Sequence, residues 1–218
     1  LIPNGYNEEI FLEVESRLGP AAEDIACLDG EPIVLVHSGV IYPEERNPAP
    51  FFQAIAELKQ ERRVTHQSLR IVLRATGHDS IYTDLINQLI IGDIVQLLPG
   101  VGYRDSLKEM MRSNGLMIFQ AATCNHQIPA KLYEYLRAGK PIFALTDKAG
   151  DTAGLLHEAG IDTLAPLDDV VEIKSALVRF LDMLETGEAP IPKKGITGRY
   201  SRKQLTRELA DIFAEAIT

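Results

Sequence analysis

The 218-residue sequence carries two cysteines, Cys27 and Cys124, and they have neither metal-ligand spacing nor the density of a disulfide framework. A reducing, cytoplasmic setting follows as the expectation. No apolar run approaches the roughly 20 residues that a membrane span needs, and no secretory signal is visible. Positive charge is not in excess: the formal net charge is -9, which argues against wrapping a nucleic-acid polymer but leaves room for a small phosphorylated ligand. The sequence has no G-x-G-x-x-G, so dinucleotide oxidoreductase chemistry has no support. It shows no Ser-His-Asp order, no metal cluster, no paired-carboxylate spacing and no Asp-x-Asp pair. Nor does it open on methionine: Leu1-Ile2-Pro3-Asn4-Gly5 reads as the middle of a longer protein.

Hydrophobic residues make up 45% and charged residues 24%, ordinary values for a soluble globular domain. From residue 33 the pattern is strand, loop, helix, repeated. Ile33 to Val36 is an apolar run without alternation, as in a buried parallel strand, and it leads into His37-Ser38-Gly39. Asn47-Pro48 opens a helix with Asn as N-cap, and Phe51, Phe52, Ile55 and Leu58 form its apolar stripe. Further strands are expected over Leu69–Leu73, Ile94–Leu98, Leu116–Phe119, Pro141–Leu145 and, more weakly, Ile161–Leu164. Helices are expected over Asp79–Ile90, after a cap at Asp105, over Pro129–Ala138 with Gly139 as terminator, over Val170–Glu185 and over Ser201–Ala216. The reading is an α/β fold with a doubly wound parallel sheet, Rossmann-like. It divides the chain into a connector and domain start over 1–32, a nucleotide-binding domain over 33–186, and a linker with a closing helix over 187–218. Ligands of such sheets sit outside the carboxyl ends of the strands.

The segment from Cys124 to Pro141 is the richest in chemistry. It runs from a strand end into a helix N-terminus, where free amides near Ile128 and the helix dipole suit a diphosphate. Glu134 could accept hydrogen bonds from ribose hydroxyls, and Lys131 lies three residues before it on one face; the pair could equally be an ordinary surface ion pair. Gly39 allows close backbone approach, and Arg46, just before a helix start, would be relieved by a bound phosphate, although such loops also tolerate solvated arginines. Gly102 and Tyr103, after the third strand, could hold a nucleobase or form a turn with a core tyrosine. His126 is a candidate acid, base or donor, or a plain loop histidine. Gly150 and Asp151 could face a ligand, or Asp151 could serve as a cap.

Ile2-Pro3-Asn4-Gly5, the Ser38-Gly39 loop, Tyr200-Ser201 and above all the block Pro129-Ala130-Lys131-Leu132-Tyr133-Glu134-Tyr135-Leu136-Arg137-Ala138-Gly139-Lys140-Pro141 resemble the C-terminal domain of glycosyltransferase family 4, of the GT-B fold. The resemblance implies a donor-binding half that holds a nucleoside-diphosphate sugar and transfers the glycosyl group with retention. The acceptor site would lie on an N-terminal domain not contained in this chain, through which peripheral membrane association would also come. The family motif has two glutamates separated by seven residues. Its second falls on Glu134, the ribose-binding residue; its first falls on His126. Arg46 stands for the family's diphosphate lysine, while Val40 occupies the place of its arginine, leaving that charge to Lys131 or Arg74. Metal is not usually required. A nucleotide-sugar epimerase of the same fold and a non-catalytic nucleotide-sugar-binding module are the alternatives, the latter favoured by the lost first glutamate.

Overall fold

The computed structural model describes residues 2–18 and 30–216; Cys27 and most of the connector between residues 19 and 29 lie outside them. Nine helices and six strands alternate among these residues. The helix α1 (Glu8–Leu18) comes first, and then β1 (Ile33–Ser38), α2 (Ala49–Gln60), β2 (Leu69–Arg74), α3 (Asp79–Gln88), β3 (Val95–Leu98) and α4 (Tyr103–Arg112). They are followed by β4 (Gly115–Phe119), α5 (Ala130–Ala138), β5 (Ile142–Leu145), α6 (Asp151–Glu158), β6 (Leu164–Ala165), α7 (Val170–Thr186), α8 (Lys194–Thr197) and α9 (Arg202–Ala216). All pairings are parallel, in the order β3-β2-β1-β4-β5-β6. The chain therefore winds outward from β1 in one direction and from β4 in the other, and the crevice between those two strands is the switch point.

Both faces of the sheet are buried, which is why its strands read as continuous apolar runs. On one face Leu35, Ile71, Phe119 and Phe143 pack with Phe51, Phe52 and Ile55 of α2 and Phe180 of α7. On the other, Val36, Ile118 and Ala144 pack with Leu107 and Met110 of α4, Leu132 and Leu136 of α5, and Phe11 of α1. Each of the larger of these side chains (Val, Leu, Ile, Phe, Met), fully buried, contributes about 1.5–3 kcal/mol relative to exposure.

Several boundaries differ from the sequence expectation. β1 runs on to Ser38, so His37 is inside the strand. Asp105 does not cap α4: the cap residue is Gly102, without a side-chain bond, and Asp105 is the third residue of the helix. Gly150 rather than Asp151 caps α6. α3 stops at Gln88, because Ile90 turns to a φ of 56°. β6 is shorter than expected and spans Leu164–Ala165; ahead of it Thr163 O still accepts from Ala144 N of β5 at 3.0 Å, and the Leu164 amide turns back onto the Asp162 carbonyl. The stretch read as a linker contains α8, held by Lys193 N donating to Ala159 O at 3.0 Å. Asn47 sits one residue outside the cap of α2, yet its Oδ1 still accepts from Ala49 N at 3.0 Å.

Candidate functional site

The loop after β1 is fixed from three sides. Ser38 N donates to the buried Tyr135 hydroxyl of α5 at 2.9 Å, and Ser38 Oγ pairs with Ser106 Oγ of α4 at 2.9 Å. Gly39 N donates to Arg74 O at the end of β2 at 2.9 Å. Gly39 itself has φ 138°, a conformation that favours glycine. The loop after β4 is organised by Gln120, whose buried Nε2 donates to the carbonyls of Cys124 and Gln127, both at 2.7 Å. The two loops meet where Ala121 N donates to Glu45 O at 2.7 Å.

Between them opens a cleft of about 200 Å³, lined by His37, Gly39, Val40, Arg46, Pro129 and Lys131 among others. Two cations thus share it. Arg46 is folded onto its own loop, donating to Val40 O at 2.9 Å with its guanidinium 5.5 Å above the Tyr42 ring. Lys131 belongs to the first turn of α5; a Cβ added to Gly39 would lie 3.8 Å from its Cε. Pro129, the cap residue of α5, offers no side-chain cap, and its carbonyl accepts from Leu132 N at 2.9 Å, so the amides of Ala130 and Lys131 are the first-turn donors without an intrahelical acceptor.

Glu134 is 8% exposed. Its Oε1 accepts from the Tyr103 hydroxyl at 2.9 Å, and Lys131 Nζ stands 3.0 Å from Oε2. That second contact is an ion pair without hydrogen-bond alignment, so Oε2 keeps its acceptor capacity. Burial, then the adjacent carboxylate, raises the Tyr103 phenol and keeps it a donor.

Gly39, Arg46 and Lys131 are therefore brought to one cleft, with Glu134 and Tyr103 joined to it through Lys131. Gly102 is exposed at the head of α4. Ile128 precedes α5, and its side chain packs on the core rather than into the cleft. His126 is exposed and lies outside the lining. Arg74, the alternative source of charge, is committed elsewhere: its guanidinium binds Glu109 twice, at 2.5 Å each, and Pro99 O at 2.7 Å. Sequence reasoning missed Tyr135, Ser106, Gln120 and the role of His37. For His37 a signal was available, a polar residue directly after the apolar run Ile33–Val36 and within the same strand. A larger depression of about 560 Å³ lies at the other end of α5, lined by Arg137 and Lys194; there Arg137 is already paired with Glu8 and Glu15.

No family model matches the sequence, and no curated protein matches it. Solved structures do. Sucrose-phosphate synthase from Thermosynechococcus elongatus is 16% identical with a TM-score of 0.65, over 100% of this chain and 52% of that one. WaaG, a glycosyltransferase involved in lipopolysaccharide biosynthesis, is 16% identical with a TM-score of 0.63, over 97% of this chain and 55% of that one. The catalytic domain of cholesterol-α-glucosyltransferase from Helicobacter pylori is 16% identical with a TM-score of 0.53, over 81% of this chain and 99% of that one. The chain spans about half the length of the first two. Among the described residues no helix is long and apolar enough to cross a membrane. At such identities the likeness is one of fold, and the fold is the six-stranded, all-parallel, Rossmann-like architecture of GT-B glycosyltransferases.

Proposed function

We propose that this chain is the nucleotide-sugar-binding half of a retaining GT-B glycosyltransferase. The observation that carries the reading is the convergence, at the switch point of the sheet, of Arg46, Lys131, the first amides of α5 and the Glu134 carboxylate. Arg46, Lys131 and the amides from Ile128 onward hold the diphosphate of the donor, with Gly39 allowing its close approach. Glu134 holds the ribose hydroxyls, and Gly102 with Tyr103 borders the base. As the glycosyl bond breaks, charge grows on the departing diphosphate; fixed cations and helix amides stabilise it without reorganisation. These groups supply that stabilisation with no metal required. The acceptor site belongs to a second domain outside this chain, so the chain alone binds donor and does not turn over. A cytoplasmic enzyme of polysaccharide biosynthesis fits this reading.

Titration calorimetry with UDP, GDP, ADP and TDP tests it. One of them should bind in the micromolar to millimolar range. Glu134→Ala and Lys131→Ala should each weaken binding on the order of tenfold or more, since a hydrogen bond to a charged group contributes roughly 1.5–3 kcal/mol. Unchanged affinity in both variants would sink the assignment. One feature favours a second reading, a donor-binding module without catalysis: His126 stands where the resemblance places a carboxylate, and it is exposed outside the cleft. Restored turnover with a supplied acceptor domain separates the two.

A further inference from the structure

At the floor of the cleft lies an imidazole that the reading above leaves unused. His37 is 3% exposed and borders the space shared by Arg46 and Lys131. Strand alternation places it on the face of Ile33 and Leu35, where an aliphatic side chain would fit. Its Nδ1 stands 2.8 Å from Met117 O on the neighbouring strand. A carbonyl oxygen accepts and cannot donate, so the hydrogen sits on Nδ1, and in the neutral ring Nε2 carries a bare lone pair. Phe119 closes one side of the ring edge-on, at 5.2 Å. Nε2 has no hydrogen-bond partner. Burial, the largest cause, outweighs the upward pull of the Met117 carbonyl; Arg46 and Lys131 add smaller downward pulls, the Gly39 backbone a last upward one, and the imidazole comes down to about 4, so the ring stays neutral at physiological pH.

An orphaned buried acceptor costs about 1–3 kcal/mol, and a native structure keeps one where something completes it. What completes it must donate. A phosphate oxygen only accepts and would face the lone pair. An ammonium would donate but would meet Arg46 and Lys131. A neutral hydroxyl satisfies both conditions, and a hydroxyl beside an anion is the chemistry of a sugar carried on a phosphate.

We propose that His37 Nε2 accepts a hydrogen bond from a hydroxyl of the glycosyl group carried on the diphosphate, which makes His37 a specificity-determining contact. The proposal rests on the donor-site reading and adds to it the contact that tells a sugar ester from a bare diphosphate. The ribose hydroxyls are taken by Glu134, so the responsible hydroxyl lies on the glycosyl side.

Three kinds of probe separate the sources: pyrophosphate, the diphosphates UDP, GDP, ADP and TDP, and their four glucose esters. The variant is His37→Asn, which keeps a donor near the position of Nδ1 and removes Nε2. Calorimetry should show pyrophosphate and the diphosphates binding the variant within about twofold of the wild type. The glucose ester should bind it about tenfold more weakly, the loss of one such bond. In the wild type, long-range nitrogen NMR of His37 should show an unprotonated Nε2 that shifts on adding the glucose ester and stays put on adding pyrophosphate. This second readout holds even if the variant does not fold. Equal weakening of all probes, an unaffected glucose ester, or an Nε2 that is silent or becomes protonated on pyrophosphate binding would overturn the proposal and leave the diphosphate cradle standing. A wild type that binds none of the probes removes the donor-site reading itself, and this contact with it.

Discussion

At the scale of single residues, the same side-chain type has different standing according to what surrounds it. Arg74 and Lys131 are both partly buried cations near the ends of the central strands. Arg74 makes a bidentate pair with Glu109, at side-chain exposures of 12% and 25%, and a third bond to Pro99 O, which together hold its guanidinium in place. Lys131 makes one unaligned contact with Glu134, which an arriving diphosphate can split while both partners gain new bonds. His37 gives this contrast a measurable form. Its imidazole titrates near 4 in the folded chain against 6.5 unfolded, with burial as the main cause. Above 6.5 both states are neutral at this site. As pH falls through 6.5 the unfolded chain takes up the proton first, so stability declines until about 4, where the folded ring protonates too. The decline attributable to His37 approaches about 3 kcal/mol. Urea unfolding of the wild type and of His37→Asn at pH 7 and at pH 4.5 should show the wild type losing more stability on acidification. Parallel losses would mean that the ring is not held neutral by its burial.

At the scale of elements, what the sequence made legible was whatever depends on local chemistry. Proline before α5 and glycine after it mark both ends of that helix. Lys131 and Glu134 share a face through helical spacing alone. Asp105 misled because an acid in the third position of a helix and an acid at its cap both favour the first-turn amides, and sequence does not separate them. α8 was hidden for a different reason: its anchor, the Lys193 bond to Ala159, joins residues far apart in sequence. His37 was visible as a polar residue following an apolar run, but its partners were not, since Met117 and Lys131 come from other elements. Gly139 offers the test at this scale. It ends α5 at φ 69° with open space around an added Cβ, so Gly139→Ala meets backbone strain and no clash. A loss of about 1 kcal/mol is expected, read as a lower urea midpoint with unchanged slope. A gain in stability would show that α5 does not depend on its left-handed terminator.

At the scale of the molecule, the two ends of the chain are joined. Tyr6 N donates to Tyr200 O at 3.0 Å, and Arg202 N donates to Tyr6 O at 2.8 Å, forming a short parallel bridge. α1 is tied to α5 through Arg137, which binds Glu8 and Glu15. α9 is attached mainly near its start: Leu205 is buried, whereas Ile212 and Phe213 are 48% and 59% exposed. The bridge is therefore what orients the closing helix. Gly5 makes it possible, because a Cβ there would lie 2.3 Å from Tyr200 O and 2.8 Å from Leu205 Cδ1. The first contact is with backbone and cannot be relieved by a rotamer change, so Gly5→Ala must push the two segments apart. The sheet core shares none of these atoms and should keep its order. Hydrogen exchange then distinguishes the parts: in Gly5→Ala the amides of Tyr6 and Arg202 should lose protection, while those of β1 and β4 keep theirs. Uniform loss across the sheet would make the terminal bridge part of the global fold, and full retention at Tyr6 and Arg202 would mean that the closing helix is oriented by contacts other than this bridge.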